Sequence, residues 1–247
     1  MELAGNTILV TGGASGIGLA LAQRFLASGS DVIICGRDGD RLEAARSANP
    51  GLHILQADLA RQADRERLAR SVVDAYPNLN ILVNNAGIQR RGRFRDDAAP
   101  WADRSAEIAI NLEAPIHLAS LLLPHLETKL RACIINVTSG LAFIPMVFAP
   151  VYAATKAAMH SFSQALRAEL ADSSVTVVEI IPPAVKTDLG GAGLHDDGVP
   201  VDEFADAVMA RLATEESEIG HGMSDHFRTA TRDQLATLYR RLNGMKD

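Results

Sequence analysis

The chain has 247 residues, of which 47% are hydrophobic, 22% charged and 4% aromatic, enough to bury a sizeable core without disulfide staples. With 24 Lys and Arg against 30 Asp and Glu, the formal charge of −6 argues against general binding to a phosphate backbone. Three Tyr and one Trp leave little material for base stacking, so no nucleic-acid partner is expected. Cys35 and Cys133 each sit in an apolar run and read as buried thiols of a reducing compartment. The N-terminus carries no basic region or signal-like core. The apolar stretch 119–123, flanked by His117, Pro124 and His125, falls short of the about 20 residues that span a bilayer. A soluble, cytoplasmic protein with no membrane partner is expected.

In chain order, the first apolar run, Thr7–Thr11 (TILVT), reads as a strand. It opens into Thr11-Gly12-Gly13-Ala14-Ser15-Gly16-Ile17-Gly18 and a helical stretch, 16–28. Glycine permits a tight turn and close backbone approach, and a helix N-terminus offers free N–H groups to a diphosphate. The Gly-x-x-x-Gly-x-Gly spacing is one residue longer than the usual dinucleotide fingerprint. Its place between a first strand and a first helix supports phosphate binding through Gly12, Ser15, Gly16, Ile17 and Gly18.

The second strand, 31–35 (DVIIC), ends at Gly36-Arg37, where a chain that binds NAD(H) places an Asp or Glu. Asp38 comes later and suits the start of the next helix, 38–47. Arg37 offers charge-assisted hydrogen bonds to a ribose 2′-phosphate, so NADP(H) is favoured over NAD(H). Strand 53–56, helix 64–76 and strand 81–84 follow, the last opening into Asn84-Asn85-Ala86-Gly87.

A helix over 101–123 contains Asn111 and, four residues on, Pro115. Proline has no N–H to give the Asn111 carbonyl, which predicts a kink and a carbonyl free to hold a water. Strand 133–138 runs into Ser139, and helix 152–170 begins Tyr152-Ala153-Ala154-Thr155-Lys156, with Tyr and Lys on one face. A cation one turn away favours the phenolate, so Lys156 is expected to lower the Tyr152 pKa and fit it for acid–base work. Strand 175–181 is followed by the Gly- and Asp-rich segment 189–200, read as a mobile loop over a crevice at the strand ends. A helix over 202–213, a short strand near 218–220 and a helix near 232–242 complete the chain.

Most strand runs are apolar throughout, as in a parallel sheet covered on both faces. The regular alternation, without linker or repeat, predicts an α/β fold: a single-domain, Rossmann-like, doubly wound parallel sheet of about seven strands with helices on both faces. The domain spans 1–247, with a cofactor-binding part about 1–130, a catalytic part and substrate loop about 131–220, and a C-terminal helix about 225–243.

The glycine turn, Asn84-Asn85-Ala86-Gly87, Asn111, Ser139 and Tyr152-x-x-x-Lys156 together resemble the short-chain dehydrogenase/reductase superfamily over nearly the whole chain. Within it, the segments 84–90 (NNAGIQR), 110–118 (INLEAPIHL) and 139–145 (SGLAFIP) look like the DltE-type oxidoreductases. The resemblance implies a tetrad of Asn111, Ser139, Tyr152 and Lys156. Tyr152 would exchange a proton with the substrate oxygen, Ser139 would hold that oxygen, and Lys156 would bind the nicotinamide ribose. Asn111 would fix a water in a relay to Lys156. The resemblance also puts Asp58 and Leu59 beside the adenine, and Asn85, Ala86 and Gly87 beside the cofactor ribose. Pro182, Val185 and Thr187 fall in the segment that holds the carboxamide, where Pro183 stands in place of the family's Gly.

Candidates for the substrate cleft are Ile88, Leu141, Phe143, Met146, Phe148, Pro183 and Leu189; none is acidic, which favours a neutral or hydrophobic carbonyl. Arg90, Arg91, Arg93 and Arg95 form a basic run suited to guiding an anionic substrate, but Asp96 and Asp97 follow at once and favour a solvated loop. His195-Asp196-Asp197 and the His221/His226 pair match no standard zinc spacing, so no metal is expected. The leading expectation is an NADPH-dependent carbonyl reductase, reversible as an alcohol dehydrogenase, with a small-molecule substrate. The resemblance implies a homodimer or homotetramer. A 3-oxoacyl-thioester reductase, with Lys129 and Arg131 meeting an acidic carrier protein, is the runner-up. A non-catalytic NADP(H) sensor ranks low because the full tetrad is present.

Overall fold

Strand residues alternate between two apolar layers, because successive side chains point to opposite faces of a strand. Ile8, Val10, Val32, Ile34, Ile81 and Val83 pack in one layer, and Leu9, Ile33, Leu82 and Ile134 in the other. The computed structural model describes residues 1–214 and 216–245. The strands are β1 (Thr7–Thr11), β2 (Asp31–Gly36), β3 (Leu52–Gln56), β4 (Leu79–Asn84), β5 (Ala132–Val137), β6 (Val175–Ile181) and β7 (Glu218–Gly220). They form one parallel sheet of seven strands in the order β3-β2-β1-β4-β5-β6-β7. This is the doubly wound fold expected from the strand runs, with its switch point between β1 and β4.

Helices α1 (Gly16–Ala27), α2 (Gly39–Ala48) and α7 (Val201–Leu212) cover the first layer through side chains such as Phe25, Leu42 and Phe204. The opposite layer is covered by α3 (Gln62–Ala75) and by the two long helices of the catalytic motifs, which contribute Leu118, Leu122 and Leu166. The first of these is not the continuous 101–123 helix expected. It runs as α4 (Trp101–Ile108), a π turn over Ala109–Glu113, and α5 (Ala114–Leu126). The Ala114 N–H reaches back five residues to the Ala109 carbonyl, so the register slips just before Pro115. The interruption expected from Pro115 therefore takes the form of a π turn. At 26 residues, Trp101–Leu126 is long and apolar enough to cross a membrane; here its apolar side packs on the sheet.

The second long helix, α6 (Pro150–Glu169), carries Tyr152 and Lys156. After β7 the C-terminal helix expected over about 225–243 is broken in two, α8 (Met223–Thr229) and α9 (Arg232–Leu242). Both pack on Ile144 through Phe227 and Leu238. Cys35 and Cys133 are free and buried, and burial pushes their thiols up to about 12 and about 11. Such thiols are inert.

Candidate active site

A cavity of about 910 Å³ lies along the carboxyl ends of the strands, touched by Gly12 after β1, Gly36 on β2, Asp58 after β3, Asn85 after β4, Ser139 after β5 and Pro182 after β6. At its cofactor end the glycine turn is pressed against the Asn-Asn-Ala-Gly turn. A Cβ on Gly12, whose φ is +65°, would fall 2.8 Å from the Ala86 Cα. One on Gly18 would fall 2.3 Å from the Asn85 Nδ2. Asn85 Nδ2 donates to the Thr11 carbonyl at 2.9 Å, and Thr11 Oγ1 accepts from the N–H groups of Asn85 at 2.9 Å and Ala86 at 3.0 Å. The turn is thus held open by hydrogen bonds between two strand ends.

Above it, α1 begins with Ser15 making no side-chain cap and with no acidic residue in its first turn. The first N–H groups of such a helix have no partner inside it, which fits a bound diphosphate. Arg37 and Arg41 reach the same cavity, and among the described residues no carboxylate pairs with Arg37. Asp38 caps α2 by accepting from the Arg41 N–H at 3.1 Å, as its position after the strand predicts. Every residue expected to touch the cofactor lines this cavity: Gly12, Ser15, Gly16, Ile17, Gly18, Arg37, Asp58, Leu59, Asn85, Ala86, Gly87, Tyr152, Lys156, Pro182, Val185 and Thr187.

Ser139, Tyr152 and Lys156 meet at the other end, all nearly buried. Ser139 Oγ accepts from the Leu141 N–H at 3.1 Å, turning the chain after β5. Lys156 Nζ donates to the Val137 carbonyl at 2.8 Å and sits 5.6 Å from the centre of the Tyr152 ring. Burial pushes the Tyr152 phenol up to about 12 against the opposing effect of the Ser139 hydroxyl, and burial pushes Lys156 down to about 8. This corrects the expectation of a lowered Tyr152. Desolvation of the phenol, with the Glu107 charge adding to it, outweighs the Ser139 hydrogen bond.

Asn111 lies behind the cavity wall rather than in it. Its Oδ1 accepts from the Ile88 N–H at 2.9 Å and its Nδ2 donates to the Ile88 carbonyl at 2.8 Å. The same amide reaches Thr155 Oγ1 at 3.3 Å, and Thr155 bonds back to the Tyr152 carbonyl at 2.7 Å. Asn111 therefore clamps the loop after β4 to the first turn of α6.

Five of the seven expected cleft residues line the cavity: Ile88, Leu141, Phe148, Pro183 and Leu189. Phe143 and Met146 do not; they turn away to pack against Ile144, Phe227 and Leu238, with Phe143 stacked on His160 at 4.6 Å. The cause is α8 and α9, whose apolar sides need that cover. Arg41, Gln89, Arg91, His195, Met223 and Phe227 line the cavity without having been singled out for it. Arg91 thus departs from the solvated-loop reading, whereas His195 lies where a loop over the crevice would put it. Lys129 and Arg131 flank the amino end of β5, opposite the cavity, and Lys129 is spent on the Pro77 carbonyl at 2.6 Å. That placement removes their suggested role in presenting a carrier-bound substrate.

Glu179, hidden in the middle of β6, is a further buried group. It is fully buried, accepts from Thr138 Oγ1 at 2.6 Å and meets His160 Nδ1 at 2.8 Å. Its pairing raises the His160 pKa. Donor atoms of His160, Glu179 and Glu218 lie within 4.8 Å of one another, yet Thr138 and Arg167 already occupy the two carboxylates.

The model of the short chain dehydrogenase family matches residues 6–197. The uncharacterized oxidoreductase DltE of Bacillus subtilis is 43% identical over 248 residues, covering 98% of each chain. The chain belongs to the short-chain dehydrogenase family. Its solved relatives in that family include a short chain dehydrogenase from Burkholderia cenocepacia in complex with NADP. That structure has a TM-score of 0.86 at 26% identity and covers 98% of this chain and 99% of the other. The 3-ketoacyl-(acyl-carrier-protein) reductase of Brucella melitensis, complexed with NADH, has a TM-score of 0.80 at 26% identity, over 90% and 99%. This short-chain dehydrogenase is thus an oxidoreductase whose structural relatives hold either nicotinamide nucleotide.

Proposed function

We propose that this protein is an NADP(H)-dependent carbonyl reductase, working reversibly as an alcohol dehydrogenase on a ketone whose reacting carbon lies against an apolar wall. The observation that carries the reading is the convergence of Ser139, Tyr152 and Lys156 in one cavity with an uncapped helix N-terminus and an unpaired Arg37. A bound nicotinamide supplies or takes up the hydride. In reduction, Tyr152 donates its phenolic proton to the substrate oxygen, and Ser139 holds that oxygen. Burial keeps the phenol protonated, the form that reduction needs. The nearby Lys156 cation offsets the phenolate charge left behind. Arg37, with Arg41 beside it, supplies the positive charge for a 2′-phosphate, and Ile88, Leu141, Phe148 and Pro183 supply the apolar wall.

The test is NADPH oxidation by the purified protein with a neutral aryl ketone and an acetoacetyl thioester side by side. The ketone is expected to be the better substrate. The Tyr152→Phe variant should bind NADPH normally and lose turnover by about 10²–10⁴-fold. A clear preference for the thioester moves the assignment to a 3-oxoacyl reductase. Undiminished turnover in the variant overturns the role of Tyr152.

A further inference from the structure

The arginine run after β4 divides on folding. Arg90 turns outward to Asp97 and Asp103, at 3.4 and 3.0 Å, and Arg104 takes the other oxygen of Asp97 at 3.2 Å. Arg91 faces the cavity instead. Its guanidinium lies 4.6 Å above the centre of the Phe148 ring, while Nε donates to Gln89 Oε1 at 3.3 Å and Nη1 to the Leu194 carbonyl at 3.3 Å. Among the described residues no carboxylate oxygen comes within 4.0 Å of it. A guanidinium stacked on one face and tethered at two nitrogens has its direction set, which leaves Nη2 and the second N–H of Nη1 for a ligand.

Two further features surround that fork. His195 also lines the cavity, and its Nε2 is buried with no hydrogen-bond partner. Burial and the Arg91 charge push the His195 pKa down against its hydrogen bond to the Leu189 backbone, so the ring adds no second charge to the cavity and its free Nε2 is an acceptor. Apart from the groups around the cofactor's adenosine end, the charged residues on the cavity are Arg91, Lys156 and Lys186 against Asp188 alone. Arg91 is exposed to the cavity and already directed by Phe148, Gln89 and Leu194, so a carboxylate that docks on it gains a charge-assisted fork without burying an uncompensated charge.

We propose that the cleft selects ketones that carry a carboxylate at the far end of an apolar body, with Arg91 holding the carboxylate. The inference rests on the carbonyl-reductase reading and names its substrate class. Phe148 links the two requirements, because it supports the guanidinium on its ring and itself lines the cavity with Leu141 and Ile88.

The experiment uses benzoylpropionate and its methyl ester, which share the ketone and the aryl body and differ only in the charge. Each is titrated calorimetrically into the protein saturated with NADP⁺, where no reduction can occur, and each is then assayed with NADPH. The acid is expected to bind at least about tenfold more tightly than the ester. Arg91→Gln should bring the acid to the level of the ester and leave ester and NADP⁺ binding unchanged. Arg91→Lys should restore part of the difference. Equal binding of acid and ester, no binding of the acid, or an Arg91→Gln variant that loses NADP⁺ or ester as strongly as acid overturns the proposal. Turnover reports separately: reduction of the ester without acid preference removes the carboxylate site but keeps the carbonyl reductase. Preferential binding of an acid that is never reduced does the opposite.

Discussion

On the cofactor side of the cavity, one turn of chain supplies Gly12, Ser15, Gly16, Ile17 and Gly18, and the next strand ends at Arg37. On the substrate side, Ile88, Arg91, Leu141, Phe148, Leu189, His195 and Phe227 come from three separate connections and a short helix near the end of the chain. The first set is joined by covalent neighbourhood, so its chemistry survives any change elsewhere that keeps β1 and α1 in place. The second is joined only by packing. It follows that one side depends mainly on local chain geometry, whereas the other depends on how distant segments pack.

Single substitutions can break or sharpen that contrast. The largest effect on the cofactor side is expected from Gly18→Ala, whose Cβ would meet Asn85 Nδ2 at 2.3 Å and the Gly12 carbonyl oxygen at 2.4 Å. Forcing these apart should cost about 1–3 kcal/mol of stability, read by chemical denaturation, and weaken NADPH and NADH alike. Arg37→Ala should be selective: a lost charge-assisted contact of about 1.5–3 kcal/mol raises the NADPH dissociation constant by about 10–100-fold. NADH binding should not change, and equal weakening of both would reject the 2′-phosphate role.

On the substrate side, Phe143 and Phe148 make a matched pair. Phe148→Ala should raise KM for an aryl ketone by about tenfold, since it removes cavity wall and roughly 1–2 kcal/mol of apolar contact. Phe143→Ala should lower the melting temperature and leave KM alone, because its ring packs toward α8 and α9 rather than the cavity. The reverse pattern would mean that the two aromatics have been assigned to the wrong sides.

Between the two sides, pH acts through Tyr152. With the phenol pushed up to about 12, alcohol oxidation, which needs phenolate, should climb with pH across the neutral range, while reduction should fall as the Lys156 cation is lost above about 8. The smallest effect comes from His160. Its folded pKa lies above the ordinary 6.5, so its pairing with Glu179 stabilises the fold fully below that value and is lost as pH rises through the raised one. His160→Gln should flatten that part of the pH–stability curve, a change of about 2–4 °C in Tm.

Much of this architecture is legible in the sequence for identifiable reasons. Unbroken apolar runs such as 31–35 announce a sheet covered on both faces, and Gly12 to Gly18 between strand and helix announces a phosphate turn. Pro115 marks the break in the long helix, though not that it becomes a π turn ending on the Ala114–Ala109 hydrogen bond. Other features leave no local trace. Glu179 sits in a β-rich run like any strand residue, and only the crossing of α6 brings His160 to it. Arg91 looks like its neighbours Arg90 and Arg93, and only the path of the loop sends it to Phe148 while Arg90 goes to Asp103.

By itself, then, the sequence determined the layered sheet, the order of the turns at its carboxyl edge and the residue types that hydride chemistry requires, because periodicity and short spacing act through the chain's own covalent geometry. The tertiary structure decided how deeply Tyr152 and Lys156 are buried, and therefore that desolvation sets the direction of both shifts. It also decided which aromatic and which arginine face the substrate, since burial and pairing depend on what distant segments bring alongside.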